Sequence, residues 1–232
     1  MTIHNLLKPR DLLQLISIAR PYLIVCAIVL LVSGIYSVFI GSPADYQQGY
    51  LVRILYIHVP SAWLALGIYT FMAVCSFYHL IYAGKMANIF CRQISPIGCG
   101  FAIITLVTGS IWGSSTWGTW WVWDARLTFM LILFFFYLSY IVLSRAMYND
   151  YNSKAPSTLV ILGFINVPIV KFSVEMWNSL HQGASVFRLG GPAIDSSMMW
   201  PLLLMLAFSV LVTIIIFANN VESVLLQHLR EK

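Results

Sequence analysis

Charge is what this sequence lacks most. Only 9% of its 232 residues are Asp, Glu, Lys or Arg, while 60% are hydrophobic. A soluble domain carries about 25% charged and about 45–50% apolar residues. The difference excludes a soluble globular domain and a disordered chain. A net charge of +5 without any dense basic cluster excludes a nucleic-acid-binding stripe. Cysteine is scarce too: Cys26, Cys75, Cys91 and Cys99 form no C-x-x-C pair. A zinc ribbon, a thioredoxin-like site and c-type haem attachment therefore lack support. The four thiols read as small apolar packers and suggest no disulfide framework. The sequence also lacks a G-x-x-x-x-G-K-[ST] loop and an H-E-x-x-H helix, so it offers neither that ATP site nor that zinc-protease site. It shows no internal repeat and no low-complexity tract.

What it has is apolar runs, with a mean hydropathy of +0.84. A membrane-spanning helix needs about 20 mostly apolar residues. Six runs qualify, at 22–40, 59–83, 94–111, 127–143, 158–170 and 199–218. The predicted fold is all-α: a polytopic membrane protein, a six-helix bundle forming one domain over 1–232. The first run is too long for a signal-peptide core and lacks a small-residue cleavage site. The fifth is short, carries Asn166 and Pro168, and is expected to kink or extend into its flanks. Segment 5–19 precedes the first span, with Leu12, Leu15, Ile16 and Ile18 spaced as in an amphipathic helix on the membrane surface. Residues 84–93 read as a short basic connector.

Lysine and arginine set the orientation. Lys8, Arg10, Arg20, Lys85, Arg92, Arg145, Lys154, Arg230 and Lys232 fall on one side, against Arg53, Arg126, Lys171 and Arg188 on the other. The richer side is the cytoplasmic one, so both termini are expected inside. Loops 41–57, 113–126 and 171–197 then face outward.

None of the six runs contains a charged residue. Charges within a membrane mark ion paths and proton relays, so a pump, an ion-coupled transporter and an intramembrane aspartyl protease are disfavoured. The unusual residues are in the outer loops. Five of the eight tryptophans fall within twelve residues: Trp112, Trp117, Trp120, Trp121 and Trp123, followed by Asp124. An interfacial aromatic belt is the plain reading, but a belt decorates both interfaces. Trp63, Trp177 and Trp200 also belong to the outer side, leaving the inner side to Tyr22, Tyr82, Tyr148 and Tyr151. So many indoles suit a flat apolar ligand. Were 117–124 helical, Trp117, Trp120, Trp121 and Asp124 would share one face, although Gly113 and Gly118 weaken the helix.

Of the five histidines, His4 and His228 belong to the cytoplasmic ends, and His79 reads as a packing residue near the inner end of its span. His58 and His181 belong to two outer segments, on the side of the tryptophans. Two imidazoles with flat aromatic walls suit haem. Zinc needs further ligands, which Asp45, Asp124, Glu175 or Asp195 could supply, so the count alone leaves it open.

Trp117–Asp124 resembles the W-G-x-x-W-x-W-D signature of haem-handling membrane proteins of cytochrome c biogenesis. Together with Ile57–Trp63 and Asn166–Gln182, it makes the chain resemble the CcmC family, the haem-delivery subunits of cytochrome c maturation. The resemblance implies that His58 and His181 are axial ligands to haem b held as cargo. It implies a platform of Trp117, Trp120, Trp121 and Trp123 with Asp124, and propionate contacts from Arg126, helped by Lys171 and Arg188. Asp124 would orient a backbone turn or a histidine N–H, cap a helix, or pair with Arg126. The implied partners are the haem chaperone CcmE, the ABC-type subunits CcmA and CcmB, and CcmD, in a bacterial inner membrane or a mitochondrial one. The chain would bind and deliver rather than catalyse. One departure is Met176, where the family has a second tryptophan before Trp177; core packing is its expected role. Two other classes compete. One is a subunit of an ABC-type transporter moving haem or another apolar solute through the bundle. The other is a b-type electron-transfer cytochrome, which would want its paired histidines inside the spans.

Overall fold

The computed structural model describes residues 9–147, 150–181, 183, 185–186 and 190–230. His4, the segment 5–8, Tyr148, Gln182, Arg188, Lys232 and the side chain of His228 lie outside the described residues. Seven helices are described: α1 (Pro9–Tyr36), α2 (Leu55–Tyr82), α3 (Lys85–Thr116), α4 (Ala125–Ala146), α5 (Ala155–Phe164), α6 (Asn166–Met176) and α7 (Ser196–Arg230). A π-helical turn, Ser37–Gly41, extends α1, and a 3-10 turn, Tyr50–Ile54, leads into α2. Among the described residues there are six segments long and apolar enough to cross a membrane, with α5 and α6 together forming one of them. The chain is a multi-pass membrane protein.

The helices overrun the apolar runs. Segment 5–19 was expected as a separate element, but from Pro9 onward it is continuous with the first span, and Pro21 lies inside the helix. Likewise the basic connector shrinks to Ala83 and Gly84, because α3 already starts at Lys85. Ala83 adopts a left-handed conformation (φ 51°), and its N–H caps α2 at His79 O, 2.9 Å away. The fifth span breaks at Ile165, one residue before Asn166. Proline has no N–H, so Pro168 cannot bond back to Phe164 O, four residues earlier, and the ladder is interrupted there. The Asn166 side chain is used across the bundle, donating to Phe129 O at 2.8 Å.

The core lies between α2, α3, α4 and α5. Ala65, Tyr69, Met72, Ala102, Leu133, Tyr137 and Val160 are all fully buried there. The Tyr137 hydroxyl donates to Ala65 O at 2.7 Å, and its ring meets Tyr69 edge-on at 5.0 Å. Buried phenols need such partners, so this contact fixes the register of α4 on α2. α1 packs mainly on α7, and Arg20 pairs with Glu222. That pair puts the early part of α1 and the late part of α7 at the same end of the bundle. At this end His79 is buried, with Nδ1 3.3 Å from Gly84 O and Nε2 3.5 Å from the Asn88 amide. Arg92 donates to Met147 O and Asp150 O, fastening the α4–α5 connection to α3. All four cysteines are free thiols; Cys75, Cys91 and Cys99 are buried, whereas Cys26 is exposed.

Candidate functional site

At the other end, a partly open cavity of about 300 Å³ lies between α2, α3, α4, α6 and the loop after α6. Its lining is mostly apolar, including Val59, Leu66, Leu106 and Leu127. Both outer histidines line it.

His58 sits in the first turn of α2, just before Pro60. Its Nδ1 is 2.9 Å from Thr108 Oγ1 on α3. The Trp112 ring meets it edge-on, 5.8 Å between centroids. Trp112 is itself held, because its Nε1–H donates to Gln48 Oε1 at 2.8 Å. Gly109 faces the same imidazole: a Cβ there would be 3.1 Å from His58 Cε1.

His181 comes from the loop after α6, where no regular element holds it. Asp124 takes that role. Its carboxylate, only 3% exposed, accepts the Nδ1–H of His181 at 3.2 Å. It also accepts the Leu180 N–H at 3.2 Å and, as N-cap of α4, the Arg126 N–H at 2.8 Å. Burial alone would raise the Asp124 pKa, but hydrogen bonds from Ser179, Arg126 and Leu180 and the nearby His181 outweigh it and hold the carboxyl below its ordinary value. Burial lowers the His181 pKa, and Asp124 offsets this only in part, so the ring stays neutral at pH 7. Trp117 meets His181 edge-on at 5.0 Å.

Among the described residues two cations line the cavity, Arg126 from α4 and Lys171 from α6. Arg126 Nε donates to Ser173 Oγ at 3.3 Å. Ser173 is fully buried, and its own proton goes to Val170 O at 2.8 Å.

The structure therefore brings together His58, His181, Trp117, Asp124 and Arg126, and Asp124 turns out to be both a helix cap and a histidine partner. It does not bring Trp120, Trp121 and Trp123 into the cavity lining. The segment after Trp117 is a turn and an extended stretch, not a helix, and Gly118 at φ +73° ends α3. The shared helical face is thus corrected. Trp120 and Trp123 are 65% and 75% exposed, and Trp121 packs edge-on against Trp123 at 5.5 Å. Met176, expected in the core, is 63% exposed, because it is the last residue of α6 and points away from the bundle. Trp63 and Trp112, given no place in the platform, line the cavity instead. Thr108 and Gly109 were also missed. A signal existed: Thr105, Thr108, Gly109, Trp112, Gly113 and Thr116 form one stripe at helical spacing in the outer half of α3. Among the described residues, no three of His, Cys, Asp and Glu are grouped to hold a metal ion. A zinc centre of protein ligands thus has no support there.

Residue by residue, the site fits a flat, anionic, iron-bearing ligand: two imidazoles, indole walls and two cations around one apolar cavity. The family model described as CcmC, heme exporter protein C, matches residues 2–232. The chain belongs to the CcmC family. It is 43% identical over 213 residues to the heme exporter protein C of Bradyrhizobium diazoefficiens, covering 91% of this chain and 81% of that protein. With the heme exporter protein C of Escherichia coli K12 the identity is 42% over 221 residues, covering 94% and 90%. A putative cytochrome c biosynthesis ccmC-like mitochondrial protein of Marchantia polymorpha is 41% identical over 185 residues, covering 80% and 78%. Membership in the CcmC family supports a role in haem handling for cytochrome c maturation.

Proposed function

We propose that this chain holds haem b as cargo at the outer face of the membrane, through His58 and His181, and delivers it to the haem chaperone CcmE. One observation carries the reading. Two histidines from distant segments line a single cavity, and each has its Nδ1 occupied by a protein partner. That leaves Nε2 of each ring as the nitrogen able to ligate iron. Haem supplies the iron and the anionic propionates when bound.

The chain's own residues do the rest. Asp124 tethers the His181 loop to the start of α4, so the loop ligand is held without a helix of its own. Trp63, Trp112 and Trp117 supply apolar wall and keep water off the ligand's face. Arg126 and Lys171 offer charge to the propionates, and the planar fork of Arg126 matches a carboxylate. Trp120 and Trp123, with the half-buried Trp121 packed against Trp123, continue as an aromatic shelf for the part of a porphyrin that a cavity of about 300 Å³ leaves outside. A partly open site suits an exchange reaction, because an acceptor can reach one edge of the cargo. For an inner-membrane protein the lysine and arginine balance supports both termini in the cytoplasm, and Arg20–Glu222 holds the early part of α1 and the late part of α7 at one end. The missing Walker loop fits an ATPase supplied by partners, CcmA with CcmB, alongside CcmD. The chain acts as a binding and delivery subunit, not an enzyme.

Co-expression with CcmE tests the delivery step. The account expects haem on the chaperone with the parent chain, and little with His58→Ala or His181→Ala present at equal membrane levels. Full loading of the chaperone by both variants would overturn it.

A further inference from the structure

We propose that Thr108 is a positioning residue for the haem ligand His58: its hydroxyl accepts the Nδ1 proton of that imidazole and so fixes the tautomer whose lone pair is on Nε2. The inference rests on the reading of His58 as an iron ligand and adds what holds that ligand ready.

The argument is a count of protons. A threonine hydroxyl has one hydrogen to donate and lone pairs to accept with. The hydrogen of Thr108 is already used within α3, donated to Ile104 O at 2.6 Å, with Thr105 O next nearest at 3.3 Å. This back-bond to the preceding turn is a common use of threonine in helices. Toward His58 Nδ1, 2.9 Å away, the oxygen can then only accept. The Nδ1 must carry the proton, and Nε2 is left as an acceptor. A free imidazole divides itself between two tautomers; this contact, with the Thr105 carbonyl as a further acceptor for the ring, selects one before any ligand arrives.

Gly109 completes the seat. Any side chain there would begin 3.1 Å from His58 Cε1, closer than ordinary packing. Thr108 and Gly109 are thus one unit: the first sets the proton, the second lets the ring lie against α3, and Trp112 one turn on closes the other side edge-on. The two axial ligands are not equivalent in this arrangement. His181 donates to a carboxylate and His58 to a neutral hydroxyl. A carboxylate partner raises the basicity of an imidazole more than a hydroxyl does, so His58 is the weaker ligand of the two.

The test compares Thr108→Val, which keeps the shape and loses the hydroxyl, with Thr108→Ser, which keeps the hydroxyl. The first readout needs no haem: nitrogen-15 spectra of the ring of His58 in the detergent-solubilised, haem-free chain. The parent and Thr108→Ser should show protonated Nδ1 and bare Nε2, whereas Thr108→Val should show a mixture of tautomers. The second readout is haem titration, with affinity falling about 10–100-fold in Thr108→Val and returning in Thr108→Ser. The third is the reduction midpoint of bound haem, which should rise in Thr108→Val as the ligand becomes a poorer donor. A parent ring with its proton on Nε2, or a Thr108→Val chain matching the parent in all three readouts, would overturn the inference. His58→Ala is the control for the underlying reading. If that variant keeps the parent haem spectrum, the ligand assignment fails; if it loses the spectrum while Thr108→Val is unchanged, only the positioning role fails.

Discussion

Asp124→Asn is the substitution whose outcome the geometry specifies most closely. Besides the Ser179 hydroxyl, which can turn to accept as well as donate, three fixed donors reach this carboxylate: the Arg126 N–H at 2.8 Å and the His181 Nδ1–H at 3.2 Å on one oxygen, and the Leu180 N–H at 3.2 Å on the other. An amide offers one acceptor and one NH₂, so either orientation sets donor against donor. Turning the NH₂ toward Arg126 and His181 would lose two bonds, including the cap of α4. Turning it toward Leu180 loses one, and that orientation is therefore preferred. One buried N–H left unmet costs about 1–3 kcal/mol. The bond from His181 meanwhile weakens from charge-assisted to neutral. The chain should stay folded, with its thermal unfolding lowered modestly, while its loop ligand is loosened and its tautomer less firmly held. Loss of a partner of this kind lowers metal affinity about 10–100-fold. Haem titration of purified Asp124→Asn, beside thermal unfolding of the haem-free chain, measures both quantities. Parent affinity and parent spectrum in a folded Asp124→Asn chain would refute the claim that Asp124 holds His181 for its ligand role. Asp124→Ala is less informative, since it removes both acceptor oxygens at once and adds a lost cap worth about 1 kcal/mol.

Three further outcomes are expected. Because burial depresses the His181 pKa in the folded chain, the neutral ring's contribution is complete above the unfolded value of about 6.5 and is lost as pH falls through the lower folded value. Bound haem should therefore stay in place through pH 6.5 and leave at lower pH in a spectral titration; release centred above 6.5 would contradict this. Gly109→Ala places a methyl 3.1 Å from His58 Cε1; overpacking of this kind costs about 1–3 kcal/mol. It should alter the haem spectrum without unfolding the chain, as read by absorption and thermal melts. Trp117→Ala removes the indole beside His181 and should lower haem affinity up to about tenfold. Trp120→Ala and Trp123→Ala, on the exposed shelf, should lower it less in the same titration, and equal losses would show that the shelf is as much a part of the site as the wall.

The fold was legible because the bilayer simplifies the code. Long apolar runs separated by polar segments leave few alternatives, and the number of crossings follows directly. Boundaries were not legible in the same way. Arg20, Lys85 and Arg92 are charged residues that helices carry beyond the apolar core, so a hydropathy reading stops short of where the backbone hydrogen bonds do. The site was half legible. His58, His181 and Asp124 stand out because polar groups beside an apolar bundle are few. What escaped was anything that depends on chain geometry. Gly118 turns the tryptophan segment out of α3, which separates Trp117 from Trp120 and Trp123 despite their closeness in sequence. Trp63 enters the cavity because α2 and α3 pack face to face there, and the stripe that carries Trp112 marks a face of α3 without showing what it meets. Thr108 looks like any threonine in a membrane helix until the imidazole opposite is known.

The central claim is that two histidines from distant segments hold one haem. Its most direct measurement is the visible absorption spectrum of the purified protein from haem-replete cells, beside His58→Ala and His181→Ala, each with and without added imidazole. A six-coordinate spectrum in the parent, lost or altered in each variant and restored by imidazole, is the predicted result. A parent that carries no haem when its partners are co-expressed, or a spectrum indifferent to both substitutions, would contradict the account.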